Sequence, residues 1–155
     1  MDSVTSVGLT TDMAGLPKLA GESLGVTEWA EMTQDQVSRF AELTGDHNFL
    51  HVDPERAKAT PFGGTIAHGY LSLALLAPVM QRLQVTDAAT SVNYGLDKLR
   101  FPAPLAVGAQ WRARADVGEI TEIKGGYQAR LSGAVEVKGS ERPAVVAESL
   151  IRFYA

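Results

Sequence analysis

Gln110-Trp-Arg-Ala-Arg-Ala-Asp-Val117 and Tyr127-Gln-Ala-Arg-Leu-Ser-Gly-Ala-Val-Glu-Val137 are the stretches on which the fold turns. In the first, Trp111, Ala113, Ala115 and Val117 alternate with Gln110, Arg112, Arg114 and Asp116. In the second, Tyr127, Ala129, Leu131, Gly133, Val135 and Val137 alternate with a face that includes Gln128, Arg130, Ser132 and Glu136. Successive strand residues point to opposite faces, so this period of two predicts half-buried antiparallel strands. Val92 to Phe101 and Val145 to Tyr154 complete a set of four, with 102–108 and 139–143 as turns, and Val26 to Met32 is a candidate fifth strand. A sheet with one apolar face needs a cover. Ala67 to Leu83 is apolar nearly all round and predicts one long buried helix, kinked by Pro78. The expectation is an α+β fold, a five-stranded antiparallel sheet against one long central helix.

Upstream, the local signals are punctuation. Thr33 with Gln36 has the pattern of a capping box opening a helix, and Gly45 is placed to end it. Asp53-Pro54 repeats the start signal for a short helix to about Thr60, since proline at the first helical position loses no hydrogen bond. Residues 1–19 show little periodicity and are expected to be an irregular or partly helical lead-in to a single domain spanning 20–155, a length that suits one hydrophobic core.

Composition removes several classes of function. Of the 155 residues 45% are hydrophobic, 21% are charged and none is cysteine. Disulfides, thiol nucleophiles and thiolate metal sites are therefore excluded. A net charge of −4 argues against a general nucleic-acid binder, which would carry a basic face. The amino terminus has Asp2 where a secretion signal would be basic, and Tyr70 to Met80 is too short to span a bilayer, so a cytoplasmic location is expected.

The chemistry concentrates in Asp46-His-Asn-Phe-Leu-His51, just past the helix stop. If the backbone curls, Asp46 and His51 can reach one water, and Asn48 between them can fix the curl by bonding a loop carbonyl. The same residues can also be read as turn formers and a satisfied core histidine. Gly69, at the head of the apolar helix, offers a backbone N–H that a ligand carbonyl can approach closely, though a glycine there also suits close packing. His68 is either a substrate contact or a structural residue, and the structural reading is favoured. His47, His51 and His68 invite a metal, but His47 and His51 bracket a loop rather than share a helix face, and no metal is expected. There is no GxSxG elbow and no phosphate loop of the GxxxxGK type.

The run Phe40 to Ala57, followed by Pro61-Phe-Gly-Gly-Thr-Ile-Ala-His68-Gly69, resembles the signature of the MaoC-like dehydratases, the (R)-specific enoyl-CoA hydratases. Asn93 to Pro104, Val107-Gly108 and Val146 to Leu150 extend the likeness over roughly residues 20–155. The resemblance implies a hot-dog fold, a homodimer joined edge to edge, and reversible hydration of a trans-2-enoyl thioester of coenzyme A to the (R)-3-hydroxyacyl thioester. It implies Asp46 and His51 as the catalytic pair, Gly69 as oxyanion donor and Asn48 as supporting amide. No cofactor is implied beyond the coenzyme A of the acyl-CoA substrate. Phe49 stands where the family usually has proline and is expected to affect the loop or the acyl entrance. Lys98 and Arg100, alternating outward on one strand, are the candidates to meet the phosphates of coenzyme A. Chain length is expected to depend on Phe49, Leu73, Leu76, Ala77 and the lead-in segment. A hot-dog thioesterase and a non-catalytic acyl-binding module are the alternatives.

Overall fold

The computed structural model describes residues 8–155. Strands β5 (Thr90–Arg100), β6 (Gln110–Ile123), β7 (Gly126–Val137) and β8 (Val145–Tyr154) follow the four alternating stretches, and β2 (Ser23–Val26) completes the path β2-β6-β7-β8-β5, all antiparallel. The alternation is realised in the packing. Trp111, Ala113, Ala115 and Val117 on β6 and Ala129, Leu131 and Val135 on β7 are buried. The expected fifth strand at 26–32 splits. Gly25 takes a positive φ of 78°, and after Thr27, whose N–H donates to Ala113 carbonyl at 2.8 Å, the ladder is interrupted until β3 (Ala30–Glu31) rejoins β6 beside Trp111.

The long helix expected over 67–83 is two short ones, α4 (Gly69–Ala74) and α5 (Ala77–Met80). The break lies one turn before Pro78. Proline lacks the N–H that would donate to the carbonyl four residues back, and its ring clashes with that carbonyl, which belongs to Ala74, the last residue of α4. Leu76 N–H bonds Leu73 carbonyl at 3.1 Å instead, a tighter turn that starts α5 in a new direction. Nor is the segment buried all round. Leu76 and Val79 face the sheet, whereas Tyr70, Ala74 and Ala77 are exposed.

Helix α1 (Gln34–Thr44) begins with both halves of the capping box in place and stops at Gly45. Two single-turn helices follow, α2 (Phe49–Val52) and α3 (Pro54–Lys58), the latter capped by Asp53 as expected. The described part of the lead-in belongs to the core; residues 1–7 lie outside the described residues. Strand β1 (Leu9–Thr11) pairs in parallel with β4 (Leu83–Val85), and Leu16, in a 3-10 turn over Leu16–Leu19, is fully buried. No helix among the described residues is long and apolar enough to cross a membrane.

Candidate active site

Helix α1 delivers Asp46. Gly45 adopts φ 80° and donates its N–H to Ala41 carbonyl at 2.8 Å, which closes the helix and turns the chain. The curl of the next residues is then set by two short hydrogen bonds. Asn48 N–H donates to Asp46 Oδ1 at 3.2 Å, and Leu50 N–H donates to Asn48 Oδ1 at 3.0 Å, so Asn48 caps α2. The supporting amide thus bonds a backbone N–H, not the loop carbonyl expected from the sequence. With Oδ1 engaged by Asn48, Oδ2 of Asp46 is the oxygen that faces His51, 4.0 Å from its Nε2.

That distance is too long for a direct hydrogen bond and fits a bent bridge through one water within about 3 Å of each atom. The tautomer of His51 is set from behind. Its Nδ1 lies 2.8 Å from Ile66 carbonyl oxygen, which can only accept, so Nδ1 carries the hydrogen, and the tautomer this selects is the one with its lone pair on Nε2, toward Asp46. Gln34 secures the same turn. Its amide donates to His51 carbonyl at 2.8 Å, and its Oε1 accepts from Thr65 Oγ1 at 2.6 Å. Ile66 N–H completes the clasp on Leu50 carbonyl at 2.9 Å. Gln34 and Thr65 were not legible as site residues, because they meet His51 only through tertiary contacts.

His68 is buried, at 2% exposure, and its Nε2 lies 3.0 Å from Asp46 carbonyl oxygen. Its ring stacks on His51, centroids 3.8 Å apart and planes inclined by 25°. The structure therefore places the His68 ring against both the Asp46 backbone and the His51 ring. Asp46, His51 and His68 do offer ligand atoms within 4.8 Å of one another. A metal ion must lie close to the plane of each imidazole that binds it, however, and two rings so nearly parallel do not point at a common position. Binding through both would require one ring to turn and release a backbone carbonyl.

Gly69 is the first residue of α4, so its N–H has no acceptor within the helix. A Cβ there would stand 3.1 Å from two ring atoms of Phe101, which shows that the glycine keeps a narrow space open between the helix start and this ring. With only six residues in α4, any polarity at this end rests on the local N–H groups rather than on a long helix dipole.

The remaining candidates lie outside this cluster. Phe49 is half-buried with the Arg56 guanidinium 4.2 Å above its ring, facing a cation that the sequence reading had not considered. Lys98 and Arg100 are exposed on β5; Lys98 is paired across from Glu148, and Arg100 precedes Phe101. His47 is exposed beside Glu42. A groove of about 800 Å³ runs from Tyr70 along α4 and α5, with Leu73 and Ala77 on one wall and Leu131, Ser149 and Ile151 on the other. Leu73, Leu76 and Ala77 line it, and Phe49 does not.

Comparison with known proteins gives the same picture. Residues 16–138 match the family model described as "MaoC like domain". The chain is 47% identical over 145 residues to "3-hydroxyacyl-thioester dehydratase Z" of Mycobacterium tuberculosis, covering 92% of this chain and 96% of that protein. It is 36% identical over 148 residues to "Nodulation protein N" of Rhizobium leguminosarum, covering 91% of each. Among solved structures, the (R)-hydratase from A. caviae involved in PHA biosynthesis superposes with a TM-score of 0.70 at 28% identity, over 85% of this chain and 94% of that one. The antiparallel sheet with its few short helices is thus a hot-dog fold, and the chain belongs to the MaoC-like dehydratase family.

Proposed function

We propose that the protein is an (R)-specific enoyl-CoA hydratase, adding water reversibly and syn to a trans-2-enoyl thioester. The observation that carries this reading is the 4.0 Å gap between Asp46 Oδ2 and an Nε2 whose ring hydrogen is committed to Ile66. Both groups accept from the two O–H bonds of one water. As the water oxygen bonds C3, its proton passes to His51 Nε2, the π electrons move through C2 to the thioester oxygen, and Gly69 N–H donates to that enolate oxygen. The proton then passes from the His51–Asp46 pair to C2, so that one water is added. Because hydroxyl and proton come from the same side, the addition is syn. The groups doing this work are side chains and a backbone amide, and the mechanism calls on no cofactor. The relatives' names, which include "(R)-specific enoyl-CoA hydratase" at 31% identity, support this choice of substrate.

We further propose that the groove receives the acyl chain, since it starts at Tyr70, next to Gly69, and Leu73, Leu76, Ala77 and Met80 give it an apolar side. Arg100, Lys98 and Arg56 are proposed to meet the phosphates of coenzyme A. A homodimer is proposed through β5, which pairs only with β8 among the described strands and exposes Val92, Tyr94 and Leu96. The test is incubation of purified protein with crotonyl-CoA and longer enoyl-CoA substrates. Loss of enoyl absorbance with retained thioester and an (R)-3-hydroxyacyl product is expected. Release of free thiol would instead indicate a thioesterase, and tight binding without turnover on any chain length a binding module.

A further inference from the structure

His68 lies against both Asp46 and His51. It donates from Nε2 to Asp46 carbonyl at 3.0 Å, stacks on His51 at 3.8 Å, and precedes Gly69 in the chain. Phe40 of α1 lies against it, ring centroids 4.8 Å apart, and its own carbonyl accepts from Ser72 Oγ at 3.1 Å, so the ring is held on several sides. Its Nδ1 is buried with no hydrogen-bond partner among the described residues. A buried lone pair without a partner is unfavourable, and a phenyl ring would fill the same space without one. What the imidazole adds over a phenyl ring is the N–H directed at Asp46.

We infer that His68 is a positioning residue that sets the separation of Asp46 and His51, acting as a strut between the Asp46 loop, the His51 ring and the start of α4. The hydrogen bond fixes the Asp46 backbone, and the stack fixes the tilt of His51, so the gap that admits one water is held from below. The inference rests on the hydratase reading for its kinetic consequence, but its geometry can be tested without turnover.

Two variants separate the two contacts. His68→Phe keeps a stacking ring and removes the N–H. His68→Gln places an amide N–H near the position of Nε2 and removes the ring. Because misplacing reactive groups by about 1 Å costs about 10²-fold in rate, His68→Phe is expected to lower kcat by about that factor with KM within about threefold, while its Tm stays close to that of the unaltered protein. His68→Gln is expected to recover at least about a tenth of the lost rate, since the Asp46 anchor returns. A simple packing role would lower Tm and leave the kcat of the folded fraction unchanged, and that result overturns the inference. So does a His68→Gln variant no faster than His68→Phe. The ring nitrogens of the unaltered protein, read by 15N NMR, should show His68 as the Nε2–H tautomer. The Nδ1–H tautomer would overturn the strut whether or not enoyl-CoA is hydrated, and absence of hydration with the Nε2–H tautomer present would overturn only the proposed function.

Discussion

Gly69→Ala separates what the glycine does for folding from what it does for chemistry. A methyl there would lie 3.1 Å from Cε2 and Cζ of Phe101 and 3.4 Å from Cδ2. Phe101 is 45% exposed and can swing outward by the few tenths of an ångström required. Gly69 is not among the glycines with positive φ, so alanine meets no backbone strain. Relief of this contact costs on the order of 1 kcal/mol, offset by the better helix propensity of alanine, worth up to about 1 kcal/mol. Stability should therefore change by less than about 1 kcal/mol. The chemistry should respond far more, because the methyl and the displaced ring occupy the approach to the N–H; loss of one oxyanion donor costs about 10²- to 10³-fold in kcat. Chemical denaturation gives the first quantity and the steady-state rate of crotonyl-CoA hydration the second. Gly69→Ala with Phe101→Ala then tells ring from methyl: recovery of rate identifies the displaced ring as the obstruction, and no recovery identifies the methyl. A stably folded Gly69→Ala protein that hydrates within threefold of the original rate would refute the reasoning.

Three other substitutions probe the frame of the site. Leu16→Ala should cost about 2–5 kcal/mol in urea denaturation, because Leu16 is fully buried; a change below about 0.5 kcal/mol would detach the lead-in from the core. Gln34→Ala should cost about 1–3 kcal/mol, since His51 carbonyl and Thr65 Oγ1 both lose their partner, and hydration should slow as the His51 turn loosens. Ala77→Phe should fill part of the groove and lower kcat/KM for an eight-carbon enoyl-CoA relative to crotonyl-CoA by about tenfold or more; an unchanged ratio would place the acyl chain elsewhere.

What could be read from the chain beforehand was what neighbouring residues decide among themselves. Thr33 and Gln36 cap each other, Gly45 supplies its own left-handed turn, and Asp53 caps the helix that Pro54 begins. The strands were legible because burial on one face imposes period two. Long-range contacts were not legible. The pairing of Leu9–Thr11 with Leu83–Val85 joins segments over 70 residues apart in sequence, and nothing near Leu9 announces it. Pro78 marked the interruption, but a segment apolar on nearly every side carries no phase to show that it divides into two short helices; the clash of proline with the carbonyl of Ala74 decides it. In the site, Asp46, Asn48 and His51 were visible as one short motif. The bonds from Gln34, Thr65 and Ile66 around His51 were not, because these residues come together only through the fold; His68 was visible as a candidate, but its stack on His51 was not.

The account rests on a water held between Asp46 and His51, and Asp46→Asn tests it most directly. Asparagine can keep the Oδ1 bond from Asn48 N–H and so preserve the loop, but it replaces the carboxylate oxygen facing His51. Crotonyl-CoA hydration followed by enoyl absorbance should fall by at least about 10²-fold in a protein whose Tm is nearly unchanged. Hydration within threefold of the unaltered protein would contradict the claim.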